Sequence, residues 1–201
     1  MKHDRSILAL KILLWVAAMA PGAWLVGGLF RGWLGANPAE TLTHVTGMTT
    51  LVLVLVTLTV TPVRRLSGWN PIIKLRRPLG LWAFAYAFTH FTIWFAFYNV
   101  FNFGYMVADV AERPYITVGM AAFLILIPLA ATSTKGWIRR LGKRWSTLHK
   151  GIYVTAALGV IHFYWLVKAD TRLPVALGVC LLILLAARVA PRGAKTTPSS
   201  G

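Results

Sequence analysis

Six separate runs of about twenty apolar residues dominate this chain of 201 residues, and about twenty is what a helix needs to cross roughly 30 Å of hydrocarbon. They lie near Ile7 to Leu29, Leu42 to Thr61, Leu79 to Phe101, Tyr115 to Thr132, Leu148 to Val167 and Leu173 to Val189. In lipid every backbone N–H and C=O must be satisfied within the segment, so each run is expected to be helical and the chain all-α. Between the runs stand "NPAE", "TPVRR", "DVAERP", "TSTKGW" and "KADTRLP", whose Pro, Gly and polar residues suit short loops between antiparallel neighbours. The expectation is a six-helix transmembrane bundle, one domain over residues 1–190, with residues 191–201 as a disordered cytoplasmic tail.

The balance of residues agrees: 57% are hydrophobic, only 13% are charged, and the mean hydropathy is +0.65. A formal charge of +16 would suggest nucleic acid in a soluble protein, so its location matters. One side of the expected bundle carries 17 basic residues, in the N-terminal segment, around Arg64 to Arg77, around Lys135 to Lys150 and from Arg188 onward, against Asp4 alone. The other side balances Arg31, Arg113, Lys168 and Arg172 against Glu40, Asp109, Glu112 and Asp170. Short cytoplasmic loops are enriched in Lys and Arg, so the charge orients the bundle with both termini in the cytoplasm. Its partners are lipid headgroups, not nucleic acid. The basic start, apolar stretch and "AMA" before Pro21 also resemble a cleavable signal peptide, but the later spans keep their orientation with or without cleavage. The single Cys180 forms neither an internal disulfide nor a CxxC redox pair.

Ionisable groups inside a bilayer are costly and mark function. No Asp or Glu falls within an expected span, which counts against carboxylate-based proton pumps and transporters. Histidine remains: His90 in "FAYAFTHFTIWF", His149 and His162 in "LHKGIYVTAALGVIHFYW", and His44 at the outer end of the second run. Neutral imidazole in an apolar helical setting is a usual axial ligand for haem iron, and facing helices can supply one ligand each. Trp82, Phe84, Phe88, Phe91 and Trp94 near His90, and Phe163, Tyr164 and Trp165 near His162, suit a flat apolar macrocycle. A structural zinc site wants four close Cys, His or carboxylate ligands, and the spans offer no such cluster. HExxH, Gly-rich phosphate loops and GxSxG are absent from the sequence.

The segments "RRPLGLWAFAYAFTH" (Arg76 to His90), "RPYITVG" (Arg113 to Gly119), "LAATS" (Leu129 to Ser133) and "RLGKRWSTLHKGIY" (Arg140 to Tyr153), followed by His162, closely resemble the MsrQ (YedZ) family. These are haem-binding membrane subunits of bacterial periplasmic methionine-sulfoxide reductase systems, within the ferric reductase-like superfamily shared with NADPH oxidases. The resemblance runs from about Thr41 to Lys168. It implies a b-type cytochrome of the inner membrane that passes electrons from the quinone pool, or from a cytoplasmic flavin reductase, to MsrP, a periplasmic molybdenum-cofactor subunit. It further implies haem b and FMN as cofactors, and haem iron ligands at His90, His149 and His162. No local motif places the FMN. With about a dozen residues after the last run, the chain is expected to draw its electrons from another protein or a quinol.

Helix geometry sorts the histidines. Thirteen residues of continuous helix rise about 20 Å, so His149 and His162 cannot hold one iron, and they point about 140° apart. Counted from the bounding arginines, His90 lies about 20 Å deep, His149 about 8 Å, His162 about 27 Å and His44 about 30 Å. The expected haem therefore sits towards the outer leaflet between His90 and His162. His149 is either a ligand of a second, inner site or a residue through which electrons enter, and His44 is a level-matched spare that packs at the interface. Arg76 and Arg77 can pair with haem propionates, an FMN phosphate or a quinone, besides anchoring the basic side. The competing functions are a stand-alone ferric or quinone reductase and, from another class, a transporter whose histidines only pack. The leading expectation is an electron-transfer subunit with no substrate-converting site of its own.

Overall fold

The computed structural model describes residues 2–189. They form α1 (Lys2–Arg31), α2 (Pro38–Ser67), a 3₁₀ segment (Asn70–Leu75), α3 (Arg76–Phe97), α4 (Phe103–Glu112), α5 (Pro114–Ala131), α6 (Lys135–Leu141), α7 (Lys143–Leu148), α8 (Gly151–Leu166) and α9 (Arg172–Val189). No strand occurs among the described residues. The expected tail, 191–201, lies outside them.

Five helical segments are long and apolar enough to cross a membrane: Ser6–Arg31, Pro38–Ser67, Asn70–Phe97, Pro114–Ala131 and Arg172–Val189. The predicted run from Leu148 to Val167 departs from this. Its helix, α8, has 16 residues, a length of about 24 Å. The chain does not continue helically from Leu148, because hydrogen bonds tighten to the i→i−3 pattern at the junction. Lys150 N–H donates to Thr147 (3.1 Å) and Tyr153 N–H to Lys150 (3.0 Å). His149 is thus the residue closing α7, not the first turn of a span. The 140° separation expected for His149 and His162 on one helix does not apply.

Two predicted loops also contain helix. The segment around "DVAERP" carries α4, and "TSTKGW" leads into α6. The third run stops at Phe97, short of Phe101, because Val100 and Phe101 adopt left-handed backbone (φ 48° and 55°). Phe101 N–H then closes onto Phe95 C=O at 3.0 Å, satisfying a carbonyl that the helix end leaves open.

Helix α2 is the axis of the bundle, packed most extensively on α3 and also touching α1, α8 and α9, while α5 pairs with α8. Its start is fixed by Asn37, whose side chain accepts from Glu40 N–H and donates to the Glu40 carboxylate, with Pro38 in the first turn. Its end is fixed by Gly68 at φ 67°, a left-handed position suited to glycine. The buried core runs through Leu51, Val54, Leu55 and Leu58 of α2, Leu79 and Ala83 of α3, Ala156 and Phe163 of α8, and Leu181 of α9. Large apolar side chains on the outside of α1 and α9, such as Leu13, Val16, Leu182 and Ile183, are exposed, as lipid-facing surfaces require.

Near two prolines inside helices, side chains from other helices bond into the backbone ladder. Pro62 has no N–H, so the Leu58 carbonyl loses its partner four residues on. Arg188 of α9 donates to that carbonyl at 2.7 Å. Arg65 of α2 in turn donates to the terminal carbonyls of α9, Ala187 (3.1 Å) and Arg188 (2.8 Å). At Pro21, the Tyr86 hydroxyl inserts into α1, accepting from Gly22 N–H (2.9 Å) and donating to Ala18 C=O (2.6 Å). It replaces one bond of the α1 ladder with two bonds to α3, and it anchors a helix that otherwise packs lightly.

Candidate haem site

Helices α2, α3, α5 and α8 enclose a cavity of about 640 Å³. Its wall is largely apolar, with Leu51, Val54, Phe91, Phe123, Leu126 and Phe163, while Asn37, Glu40, Tyr98 and Arg113 sit at the acid-balanced end. Phe91 stacks on Phe123 with ring centroids 4.9 Å apart, giving the cavity a flat aromatic side.

His90 of α3 and His162 of α8 both line this cavity. Their ring centroids are 6.3 Å apart and their planes nearly perpendicular, at 86°. Each ring is held the same way. His90 Nδ1 lies 2.8 Å from the Thr43 carbonyl of α2, and His162 Nδ1 lies 2.6 Å from the Tyr115 carbonyl of α5. A carbonyl can only accept, so both Nδ1 atoms carry the proton and both Nε2 atoms keep their lone pairs. That is the tautomer a metal ligand needs, fixed by the supporting bond usual for such histidines.

The close approach depends on two glycines. Four residues after Thr43 comes Gly47, and four after Tyr115 comes Gly119, each on the same helix face as the accepting carbonyl. A Cβ on Gly47 would lie 2.8 Å from His90 Cε1 and 3.0 Å from its Nδ1. A Cβ on Gly119 would lie 2.6 Å from His162 Nδ1 and 2.8 Å from its Cε1. Two separate helices therefore present the same socket, a free face of a carbonyl with glycine one turn on. Sequence reading missed both glycines. The signal was the shared pattern of a residue, three more and then Gly, in "THVTG" and in "YITVG", visible only once the opposing histidine is known.

His44 also lines the cavity but is exposed, its ring 6.0 Å from Phe163. His149 does not line it. Its Nδ1 lies 3.1 Å from the Trp145 carbonyl, its ring stacks on the Trp145 indole at 3.9 Å, and its Nε2 is buried without a partner. Among the described residues no group of three or more His, Cys, Asp or Glu could hold a metal ion.

The family model described as "Ferric reductase like transmembrane component" matches residues 45–160. A relative from Herminiimonas arsenicoxydans, named protein-methionine-sulfoxide reductase heme-binding subunit MsrQ, is 48% identical over 92% of this chain and 86% of its own length. Proteins of the same name from Ralstonia nicotianae (48% identical over 82% of this chain and 76% of its own) and Bordetella pertussis (46%, over 92% and 91%) match similarly. The chain belongs to the MsrQ family of ferric reductase-like transmembrane proteins. Like other members of MsrQ, it is a multi-pass membrane protein.

In this MsrQ chain the expected aromatic surround of the histidines is only partly assembled. Phe91, Trp94 and Phe163 line the cavity. Trp82 instead packs edge-on against Trp15 of α1, 5.2 Å between centroids, and Phe88, Tyr164 and Trp165 are exposed. The arginines singled out in the sequence stand apart from the cavity. Arg77 is exposed, and Arg76 is half-buried at the basic end, within electrostatic reach of Arg188, Tyr153 and Arg64.

Proposed function

We propose that this chain is a b-type cytochrome subunit of the inner membrane, passing electrons from the quinone pool or a cytoplasmic reduced flavin to a periplasmic, molybdenum-dependent methionine-sulfoxide reductase of the MsrP type. The reaction it serves is the repair of oxidised periplasmic proteins. In this reading α8 completes a six-helix bundle whose basic end, with both termini, faces the cytoplasm.

The observation that carries the reading is the paired socket. Two imidazoles from facing helices have their Nδ1 atoms engaged, their Nε2 atoms available and their centroids 6.3 Å apart in an apolar cavity. One metal bound by both at about 2 Å from each nitrogen leaves two imidazole centroids about 6 Å apart. The cavity also has the size and apolar lining of a cofactor site. His90 and His162 would hold haem b, which supplies a one-electron iron couple when bound. Thr43 and Tyr115 would orient the two rings, Gly47 and Gly119 would make room for them, and the apolar wall would exclude water.

His44 stays a packing residue at the cavity's edge. Among the histidines whose side chains are described, none stands opposite His149, since His44, His90 and His162 all line the other cavity. Its stacking on Trp145 near the basic end suits a residue through which electrons enter. FMN, if it serves as the second cofactor, would act on that inner side.

The experiment is spectral and stoichiometric. Purified protein should contain one b-type haem per chain by pyridine haemochrome, and should reduce no acceptor unaided by a periplasmic partner once charged by quinol or reduced flavin. A colourless protein after haem supplementation would overturn the redox reading and favour a packing role for the histidines.

A further inference from the structure

The connection between α3 and α5 carries apolar side chains that the bundle leaves uncovered. Val100 and Phe101 are 72% and 63% exposed, and Phe103 and Val107 of α4 are 68% and 62% exposed. Asn102 starts α4 by accepting from Gly104 N–H (2.8 Å) and Tyr105 N–H (3.2 Å), yet none of the ten residues of this helix is buried. On a helix of 3.6 residues per turn, Phe103 and Val107 share one edge, and Tyr105 and Glu112 lie on the opposite one. Met106, Asp109 and Val110 are half-buried and turn towards the bundle. There Asp109 accepts from the Trp94 indole N–H at 3.2 Å and pairs with Arg113 at 2.9 Å, while the Thr117 hydroxyl of α5 donates to the Val110 carbonyl. These bonds set the rotation of α4 about its axis, and with it the direction in which the apolar edge points.

The backbone leading into α4 is strained. Val100 and Phe101 sit at φ 48° and 55°, a region that β-branched and bulky residues rarely adopt. Glycine would make the same turn without strain if a turn were all that was needed. Packing within the chain does not offset the strain in full, because Phe101 meets the Phe95 ring edge-on at 5.5 Å and still leaves most of its surface open. Phe103 touches the same Phe95 ring at 5.1 Å, so Phe101 and Phe103 stand together on one uncovered surface.

What covers that surface follows from its tethers. Residues 98–102 join α4 to the segment ending at Phe97, and Arg113 alone joins it to the segment starting at Pro114. Both segments are long and apolar enough to cross a membrane, so α4 is held at the membrane boundary and cannot lift away into water. Its charged side chains are the acids Asp109 and Glu112, which gives anionic headgroups nothing to attract.

We infer that α4 is seated in the membrane–water interface at the acid-balanced end of the bundle, with Phe101, Phe103 and Val107 inserted among lipid acyl chains. The partner is the lipid surface, and burial of apolar area is the force. The opposite edge, with Tyr105 and Glu112, faces water. Seated in this way α4 lies beside the mouth of the histidine cavity, since Trp94 and Arg113, the two residues bonded to Asp109, both line it. The inference does not depend on what occupies that cavity.

The test is nitroxide accessibility on the full-length chain in nanodiscs. Cys180 is the single cysteine, so Cys180→Ser gives a background for Val107→Cys and Glu112→Cys, two exposed positions where a label displaces no packed side chain. Oxygen concentrates in lipid and a neutral nickel chelate in water. The ratio of oxygen to nickel accessibility should exceed unity at Val107, matching a depth of about 5–10 Å, and fall below unity at Glu112. Both results should be the same in phosphatidylcholine alone and in an equal mixture with phosphatidylglycerol. A ratio on the same side of unity at both positions, whether in water or in lipid, overturns the inference. Exclusion of both reagents from Val107 also overturns it, because a protein then covers the edge. So does a lipid signal at Val107 that appears only with phosphatidylglycerol, because headgroup attraction is then the force.

Discussion

Gly119→Ala is the sharpest perturbation the site offers. The added Cβ falls 2.6 Å from His162 Nδ1, whereas ordinary carbon contacts begin at about 3.5 Å. The ring must retreat by about 0.9 Å, because the glycine sits on a packed helix and cannot move alone. A retreat of that size stretches the 2.6 Å contact with the Tyr115 carbonyl to about 3.5 Å, beyond a useful hydrogen bond. Crowding of this kind costs about 1–3 kcal/mol, and the lost bond about 1 kcal/mol more. Metal–ligand distances tolerate only about 0.2 Å, so on the proposed reading His162 would lose or weaken its hold on a haem iron while His90 is untouched. The assay is haem content together with low-temperature electron paramagnetic resonance, where two axial imidazoles give a low-spin signal. Gly119→Ala should convert that signal to high spin or lower haem affinity by about 10–100-fold, the range for groups that support a metal ligand. Gly80→Ala is the control, since a Cβ there meets nothing within 4 Å. A Gly119→Ala protein with full haem and an unchanged low-spin spectrum would refute the socket.

Gly47→Ala should reproduce the effect through His90, more mildly, because its Cβ contact with Nδ1 is 3.0 Å; the same two measurements check it. Tyr86→Phe removes the bridge between α1 and α3 and leaves Gly22 N–H and Ala18 C=O to re-form one weaker ladder bond. Unfolding in detergent should show a loss of about 1–2 kcal/mol with haem content unchanged. Arg188→Met leaves the Leu58 carbonyl unpaired and should destabilise by about 1–3 kcal/mol. In a Pro62→Ala background, where residue 62 regains its N–H, the same change should cost about 1 kcal/mol less, a coupling read from a double-mutant cycle. Asn37→Ala should cost about 1 kcal/mol through the lost α2 cap, measured in the same unfolding assay.

What the sequence made legible was whatever depends on long-range averages: apolar runs and the one-sided charge. His90 and His162, singled out by their apolar setting and the family resemblance, were paired by counted depth, and they do share a cavity. The fifth run was started three residues early, at Leu148, whereas α8 begins at Gly151, after i→i−3 bonds around Lys150 that no composition average reveals. α4 was read as loop because its ten residues fall between a polar cluster and an apolar run. Trp82 was assigned to the histidines by proximity in sequence, although eight residues of helix carry it about 12 Å away, and Trp15 meets it there. The sockets were invisible because a glycine's meaning lay in a ring contributed by another helix.

The central claim is that one iron is shared by His90 and His162, with His149 outside it. The most direct measurement is haem stoichiometry and absorption spectrum in three purified variants, His90→Ala, His162→Ala and His149→Ala. One haem per chain in the parent, lost or converted to high spin in the first two variants and retained in the third, is the expected result. Two haems per chain, or equal loss in all three variants, would contradict it.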